Sequence, residues 1–347
     1  VVSIGYAAFV DCIKLPRIDI PKSVKTIDKQ AFRNCDGLTE VVIPDNVTTL
    51  GDEAFYAAEG IETVTLGKGI TAINNGAFNW CSNLREVIIT GHTTSIGDGT
   101  FANCPNLKKF TIPNGVTHIG AGAFSSSGLI ESLIPSGVKI IKAQTYMSSD
   151  ITTVAIPDSV TTIEEGAFSH SRLISVSIPN SVTTIKYRAF AVCEDLIHVN
   201  LSDNVTSIER SAFNGCLNLK LISIPGSIAT ISSRTFENCI SLESVAISDS
   251  VTLIEYGAFN DCKNIKDVYY AGSKEQWEDI EIEKNNVDLT AATIHYNSPK
   301  ADKSTYTIEL YPEEETYTVG VGQELRIACF LNRGGTQVLN WKQPQIA

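Results

Sequence analysis

The stretch from Ile208 to Ile224 reads I-E-R-S-A-F-N-G-C-L-N-L-K-L-I-S-I and, followed by Pro225, is one unit of a repeat. Its aromatic residue, Phe213, recurs in register along the chain, and we call this position the anchor. Successive anchors lie 23 residues apart, except for three consecutive steps of 22. A fixed period of this length is typical of solenoids, in which each coil packs only against its neighbours. The anchors are Phe9, Phe32, Phe55, Phe78, Phe101, Phe124, Tyr146, Phe168, Phe190, Phe213, Phe236 and Phe259.

Length and charge limit the possible partners. A chain of 347 residues would ordinarily form several domains, but a solenoid grows by adding coils. The net charge of −12 disfavours nucleic acid and anionic lipid, whose recognition needs clustered lysine and arginine. The sequence has no apolar run of 18 or more residues, so it predicts no membrane-spanning helix. It starts within a repeat, so we expect that a signal peptide has been removed or was not included.

Each unit contains the same series of short motifs. It begins with Ile-x-x-x-Ala-Phe, in which threonine replaces alanine at Thr100, Thr145 and Thr235. Because no longer helical pattern follows, this spacing predicts a single helical or 3₁₀ turn around the anchor. L-x-x-V-x-I, as from Leu242 to Ile247, predicts a short strand with its branched residues inward. Ile-Pro and a small polar residue then predict a turn, and V-T-x-I predicts a second short strand.

The combined pattern, Ile-x-x-x-Ala-Phe-x-x-Cys-x-x-Leu-x-x-Val-x-Ile-Pro-x-x-Val-Thr-x-Ile, resembles the BspA-like subfamily of bacterial leucine-rich repeats over residues 1 to about 271. The resemblance implies an α/β-type solenoid, mostly β and right-handed, with about twelve coils of 22 or 23 residues, and a small all-β C-terminal segment is expected to follow it. Members of this subfamily are secreted or displayed on cell surfaces, and several are adhesins. It therefore implies an extracellular or cell-surface location and binding to a host or bacterial surface protein, with glycan binding or a spacer role as alternatives.

The sequence predicts no catalytic, metal or cofactor site. The five histidines occupy different phases of the repeat, and none has the arrangement of a nucleophile with its base. No glycine-rich phosphate loop opens a long helix. We therefore expect a non-catalytic protein without a cofactor, and a monomer.

Eight of the nine cysteines lie three residues after an anchor. Zinc would need four converging ligands, which a ladder of single thiols does not supply. Disulfides between neighbouring coils are conceivable, but side chains that project in parallel do not meet with the required dihedral angle. The favoured interpretation is small buried hydrophobic residues with free thiols. These cysteines are Cys12, Cys35, Cys81, Cys104, Cys193, Cys216, Cys239 and Cys262.

Three consecutive coils, those of Phe124, Tyr146 and Phe168, are one residue shorter and lack the cysteine. The missing residue lies between the anchor and the first strand. We predict a local change of curvature or twist near residues 124 to 173, with drift in a tolerant loop as the alternative.

The outward positions of each first strand form the candidate partner-binding face. Leucine-rich repeats usually bind partners on this concave sheet, and here it displays mostly small, hydroxylated side chains. An ordinary solvated sheet is the alternative. The candidate contact residues are Glu86, Lys109, Glu131, Thr153, Ser175, His198, Asn200 and Tyr269.

Threonine fills eight of eleven equivalent sites in the V-T-x-I segment. Regular threonine ranks can bind ice, but β-propensity and turn chemistry explain them equally well. The sites are Thr48, Thr71, Thr94, Thr117, Thr161, Thr183, Thr206 and Thr252.

The repeat stops after Tyr270, and residues 272–296 are predicted to cap the solenoid. Ser273 and Gln276 have the spacing of a capping box, which predicts a short helix from about Lys274 to Ile280 that places Trp277 over the last coil. We assign residues 1–296 to the solenoid with its cap, 297–304 to a linker and 305–347 to a partial module. The alternation in this last segment predicts strands, and V-G-V-G-Q-E-L-R-I followed by V-L-N-W resembles half of a bacterial immunoglobulin-like domain.

Overall fold

A computed structural model describes residues 1–298, and its strands recur with the repeat. Strands of three or four residues arise from L-x-x-V-x-I, and we call this series the front sheet. Strands of two residues arise from V-T-x-I, and we call them the side ladder. Every pairing is parallel and joins equivalent positions of adjacent turns, as between Val41 and Val64 and between Val64 and Val87. The expected solenoid, mostly β, is confirmed.

In chain order the elements are β1 (Ser3–Ile4), β2 (Thr26–Ile27), β3 (Glu40–Ile43), β4 (Thr49–Leu50), β5 (Thr63–Leu66), β6 (Ala72–Ile73), β7 (Glu86–Ile89), β8 (Ser95–Ile96), β9 (His118–Ile119), β10 (Glu131–Leu133), β11 (Ile140–Ile141), β12 (Thr153–Ala155), β13 (Thr162–Ile163), β14 (Ser175–Ser177), β15 (Thr184–Ile185), β16 (His198–Asn200), β17 (Ser207–Ile208), β18 (Leu221–Ser223), β19 (Thr230–Ile231), β20 (Ser244–Ile247), β21 (Leu253–Ile254), β22 (Asp267–Tyr270), α1 (Lys274–Glu278), β23 (Glu281–Ile282), α2 (Val287–Thr290) and β24 (Thr293–His295).

The front strands alternate as their sequence predicts. In β3, Val41 and Ile43 are buried while Glu40 and Val42 are exposed, because successive side chains of a strand point to opposite faces. The buried side chains face the anchors. A single coil could not bury them, so the stack of coils is what stabilises each one.

The chain around each anchor is not helical, and the expectation of a helical or 3₁₀ turn is wrong. The amide of Asn214 donates to the carbonyl of Ser211 in its own coil at 3.1 Å, as in a 3₁₀ turn. The amide of Phe213, however, donates to Thr235 of the next coil at 2.9 Å. The residues two before and two after every anchor, here Ser211 and Gly215, have positive φ. These left-handed residues turn alternate amides towards the next coil, so hydrogen bonds between coils replace a helix.

The anchors form one continuous stack of rings. Neighbouring ring centroids lie between 5.0 Å, for Phe32 and Phe55, and 5.8 Å, for Phe78 and Phe101, and the rings are close to parallel. All anchors except the half-buried Phe9 are fully buried. Where threonine precedes an anchor, its hydroxyl donates within its own turn, as from Thr235 to the carbonyl of Ser232 at 2.6 Å. The hydroxyl is therefore satisfied in a site that otherwise holds alanine.

The eight cysteines among residues 1–298 are free thiols, and the seven buried ones hydrogen-bond between coils. The Cys216 thiol donates to the carbonyl oxygen of Phe190, the preceding anchor, at 3.3 Å, and six other cysteines make the same bond. Burial raises the pKa of the Cys193 thiol to about 12, so it stays protonated and can donate. In the three short coils, serine occupies the cysteine's position at Ser127, Ser149 and Ser171.

The anchor Tyr146 has a partner that the sequence did not reveal. Its hydroxyl lies 2.8 Å from the hydroxyl of Ser132, and both side chains are buried. Ser132 stands where most coils have an inward valine. The tyrosine in place of phenylalanine and the serine in place of valine thus form one hydrogen-bonded pair within the core.

The cap does more than cover the last coil. The capping box of Ser273 and Gln276 is confirmed, although the helix ends at Glu278, and Trp277 packs edge-on against Tyr270 with ring centroids 5.2 Å apart. Strands β23 and β24 extend the side ladder and the front sheet, so residues 1–298 make thirteen turns rather than twelve.

Asn286 completes the last anchor turn. Its Oδ1 accepts the amide of Phe259 at 3.0 Å, and its Nδ2 donates to the carbonyls of Glu255 and Glu283 at 3.0 and 2.9 Å. In the other coils the anchor amide finds its acceptor in the next coil. The buried amide side chain of Asn286 replaces that missing coil.

The second and third short coils keep their side-ladder pairing, from β11 through β13 to β15, whereas β9 and β11 on either side of the first short coil are not paired with each other. At Gly128 the shortened chain passes so close to the preceding coil that a Cβ would overlap the carbonyl oxygen of Pro105. Altered curvature over these coils stays a prediction. Most of the predicted linker, the immunoglobulin-like segment and Cys329 lie outside the described residues.

Candidate partner-binding face

The front sheet presents two columns of outward side chains, because each strand exposes its first and third residues. Strand pairing places Glu131 beside Thr153 and Ser175 beside His198 in the first column. Asn200 lies beside Ser177 in the second. The candidate residues therefore form lines along the solenoid, with neighbouring strands about 4.8 Å apart.

The predicted contact residues do not form one cluster. Glu86 and Lys109 are exposed beside a break in the sheet, since residues 107–113 form no strand. Glu131, Thr153 and Asn200 are also exposed.

Two candidates near the middle of the face, Ser175 and His198, are half-buried. Desolvation by burial lowers the pKa of His198, so its imidazole is neutral at physiological pH. This part of the face is therefore polar but largely uncharged.

The N-terminal half of the face contains an exposed apolar stripe that sequence analysis did not single out. Val42, Ile88 and Leu133 share the second column and are 48%, 44% and 54% exposed. Their third-residue position in an alternating strand was the signal that could have identified them. Thr65 lies between Val42 and Ile88, and Thr111 occupies the equivalent position between Ile88 and Leu133, so aliphatic and threonine side chains alternate along the stripe.

A polar aromatic cluster occupies the C-terminal end of the face. The Tyr269 ring stacks on His295 with centroids 4.8 Å apart, and His295 Nε2 lies 2.7 Å from Asp267 Oδ1. Tyr269 was predicted as a contact residue, whereas Asp267 and His295 were not. Strand β24 places His295 beside Tyr269, and its pairing with β22 was not predictable without the extra turn of the cap.

The threonine column of the side ladder has a structural explanation. The Thr94 hydroxyl donates to the carbonyl of Thr71 at 3.2 Å, and five other threonines in the column make the same type of bond to the preceding coil. The donor of each such hydroxyl is directed at the protein backbone. The column therefore serves coil stacking.

Among residues 1–298 no group of three or more histidine, cysteine or acidic side chains is arranged to hold a metal ion. No helix in the same range is long and apolar enough to span a bilayer.

Comparison with known families gives one match. Residues 2–131 and 139–266 match the family described as BspA type leucine rich repeat region, in six copies. The matched ranges cover well over half of the 347 residues. A comparison with curated proteins found no match.

Several solved structures are similar. A leucine-rich cell-surface protein of Faecalibacterium prausnitzii is 30% identical, with 74% of this chain and 86% of that protein covered and a TM-score of 0.42. A leucine-rich repeat protein of Bacteroides ovatus is 23% identical, with coverage of 85% and 87% and a TM-score of 0.42. The pneumococcal vaccine antigen PcpA is 19% identical, with coverage of 86% and 84% and a TM-score of 0.50, a likeness of fold.

Proposed function

Since the chain belongs to the BspA-type leucine-rich repeat family, we propose that it is a secreted or cell-surface protein whose front sheet binds a protein of a host or bacterial surface. Leucine-rich repeat solenoids are protein-binding modules and are typically non-catalytic. The extracellular location is carried over from the subfamily that the repeat resembles. The contact surface is argued from the side chains of this chain.

The exposed stripe of Val42, Ile88 and Leu133 carries the proposal. Full burial of such a side chain contributes roughly 1.5–3 kcal/mol, and since each is already about half covered, about half of that is still to be gained on binding. Beside the stripe, Glu86 and Glu131 supply charge in the first column. An apolar strip next to charged residues is the usual organisation of a protein interface, with the apolar part buried on binding and the charged part at its rim.

A binding screen against host matrix proteins tests the proposal. Ligands found with the wild-type protein are then measured against the double variant Ile88→Ser with Leu133→Ser. We expect its affinity to fall about tenfold or more, since central apolar contacts dominate interface energy. Ile240→Ser is the matched control, because Ile240 is 46% exposed but lies outside the front strands. Equal affinity of the double variant and the control would contradict the proposal.

A glycan array separates the second candidate function. The stacked pair of Tyr269 and His295 with Asp267 is the one place on the described front face where an aromatic ring and polar groups meet as in a sugar site. Glycan hits that Tyr269→Ala removes, without protein hits, would favour a glycan-binding module. Absence of binding in both the protein screen and the glycan array would favour a structural spacer.

A further inference from the structure

The front sheet is open between β7 and residues 107–113. This segment, L-K-K-F-T-I-P, has the strand motif of the repeat, yet within residues 1–298 no backbone hydrogen bond joins residues 86–89 to residues 108–112. Strands β12 and β14 are likewise not paired with each other, but there the amide of Ile174 still donates to the carbonyl of Thr152 at 3.1 Å. The opening therefore leaves facing strand edges whose peptide groups lack backbone partners.

Phe110 explains the opening. It occupies the inward position that holds Val87 in the preceding coil, and its ring inserts beside two anchors. The Phe110 centroid lies 5.1 Å from that of Phe101 and 5.6 Å from that of Phe124, with tilts of 48° and 43°. The anchor spacing on both sides of Phe101 is 5.8 Å, the widest in the stack. An oversized inward ring thus wedges these coils apart at the front, while β8 and β9 keep them paired at the side.

The opening is a cleft of about 820 Å³ with an apolar floor and a basic rim. Val87, Ile89 and Phe110 line it and are half-buried, whereas the inward residues of β3 and β5 are fully buried. Lys108 and Lys109 stand at the rim and are exposed, and neither makes an ion pair with the residues that the structure describes. Arg85 and Glu86 also line the cleft, and because Arg85 lies 3.8 Å from Glu62, the two lysines leave the rim net positive despite Glu86. In a chain of net charge −12, this concentration of positive charge favours an acidic ligand.

We propose that this cleft binds an extended, acidic segment of a partner protein as an added β-strand. The proposal rests on the protein-binding function argued above and specifies one binding mode for it. The backbone of the segment supplies N–H and C=O groups to the open edges, as in other cases of strand addition. Its alternate side chains contact Phe110 and Ile89, and carboxylates at its ends pair with Lys108 and Lys109. A strand of about five residues is long enough to span the cleft edge formed by β7.

The test uses a fluorescein-labelled synthetic peptide of about eight residues, alternating valine and threonine in the centre with aspartates at both ends. Fluorescence anisotropy measures its affinity. Hydrogen exchange followed by mass spectrometry measures how fast the backbone amides of residues 86–89 and 108–112 exchange. We expect these amides to exchange rapidly in the free protein and slowly with the peptide. A matched peptide with alternate amides N-methylated should bind about tenfold more weakly or worse, since it loses several backbone hydrogen bonds.

Three variants locate the site. Phe110→Val restores the valine of the repeat and should close the ladder, slowing exchange without peptide and abolishing binding. The double change Lys108→Glu with Lys109→Glu should also abolish binding. Lys139→Glu reverses one exposed charge outside the cleft and should leave the affinity unchanged.

Equal binding of the N-methylated peptide, or equal binding by Phe110→Val, would overturn strand addition. Absence of peptide protection in the wild-type protein would overturn it as well, and that measurement does not depend on any variant folding. If host proteins still bind in a manner that requires Ile88 and Leu133, only the cleft proposal is lost; if no protein binds, the proposed function is lost too. Self-association of the protein that Phe110→Val abolishes would show that the cleft binds a second copy of this chain. It would overturn the proposal that the cleft binds a segment of another protein.

Discussion

Replacing Phe213 with alanine tests the stacked core directly. The ring is fully buried and lies between Phe190 and Phe236, at centroid distances of 5.2 and 5.6 Å. Deleting a buried phenylalanine side chain costs about 3–5 kcal/mol, the sum of lost transfer free energy and a residual cavity. The flat, parallel arrangement leaves no side chain directed into the vacated space, so we expect the upper part of this range.

Phe9→Ala is the matched control at the end of the same stack. Phe9 is half-buried and has one stacked neighbour, Phe32, at 5.1 Å. With one ring contact instead of two and part of its surface already in water, its loss should cost roughly half as much, about 1.5–2.5 kcal/mol. The difference between the two variants measures what a second neighbouring coil contributes.

Urea unfolding followed by circular dichroism gives the two free energies, and hydrogen exchange locates the defect. Because each coil contacts only its neighbours, Phe213→Ala should raise exchange in the coils of Phe190 and Phe236 and leave the coil of Phe32 unchanged. An equal or larger loss for Phe9→Ala would refute this account of the stack. So would a loss below about 1 kcal/mol for Phe213→Ala, because a fully buried ring cannot be so weakly held.

Three further predictions follow from the core and the cap. Tyr146→Phe should lower the free energy of unfolding by about 1–3 kcal/mol, because it leaves the Ser132 hydroxyl buried without a partner. Adding Ser132→Val should recover most of this loss, whereas additive losses in the double-mutant cycle would contradict the pairing. Asn286→Ala should cost about 1–3 kcal/mol in urea unfolding, because it orphans the last anchor amide, and the reasoning fails if Asn286→Ala is neutral. Burial raises the pKa of Cys104 and Cys193 to about 12 from 9.0, so unfolding releases protons from these thiols at alkaline pH. Their contribution to the free energy of unfolding should be constant below pH 9 and be lost from pH 9 towards pH 12. The double alanine variant of these cysteines should show a shallower fall, and identical pH profiles would exclude the thiols as its cause.

The sequence predicted the architecture because the fold is periodic. Most coils bury their anchor, Leu, Val and Ile against similar neighbours, so the spacing alone determines which residues face inward. The anchor turn was mispredicted because the spacing of Ile-x-x-x-Ala-Phe fits a helical turn. The positive φ values could not be predicted, because they occur at residue types as different as Arg188 and Val192. That conformation is enforced by the neighbouring coils and not by local preference.

The candidate face was harder to predict than the fold. The outward positions of the front strands followed from alternation, but the importance of Phe110 depended on a volume change at an inward position. The Ser132 and Tyr146 pair and the role of Asn286 likewise depend on contacts between residues that are distant in sequence. Such contacts appear in a single sequence only as departures from the repeat.

The alternating amides of the anchor turns give the solenoid a simple rule for changing its length. Each coil donates alternate amides of its anchor turn to carbonyls of its successor and accepts the corresponding amides of its predecessor. A whole coil can therefore be gained or lost by recombination at almost any point without leaving a peptide group unpaired. The terminal carboxamide of Asn286 is the exception, because it ends the series. Evolution can therefore vary the reach of such a molecule in whole periods while its last residues stay in place.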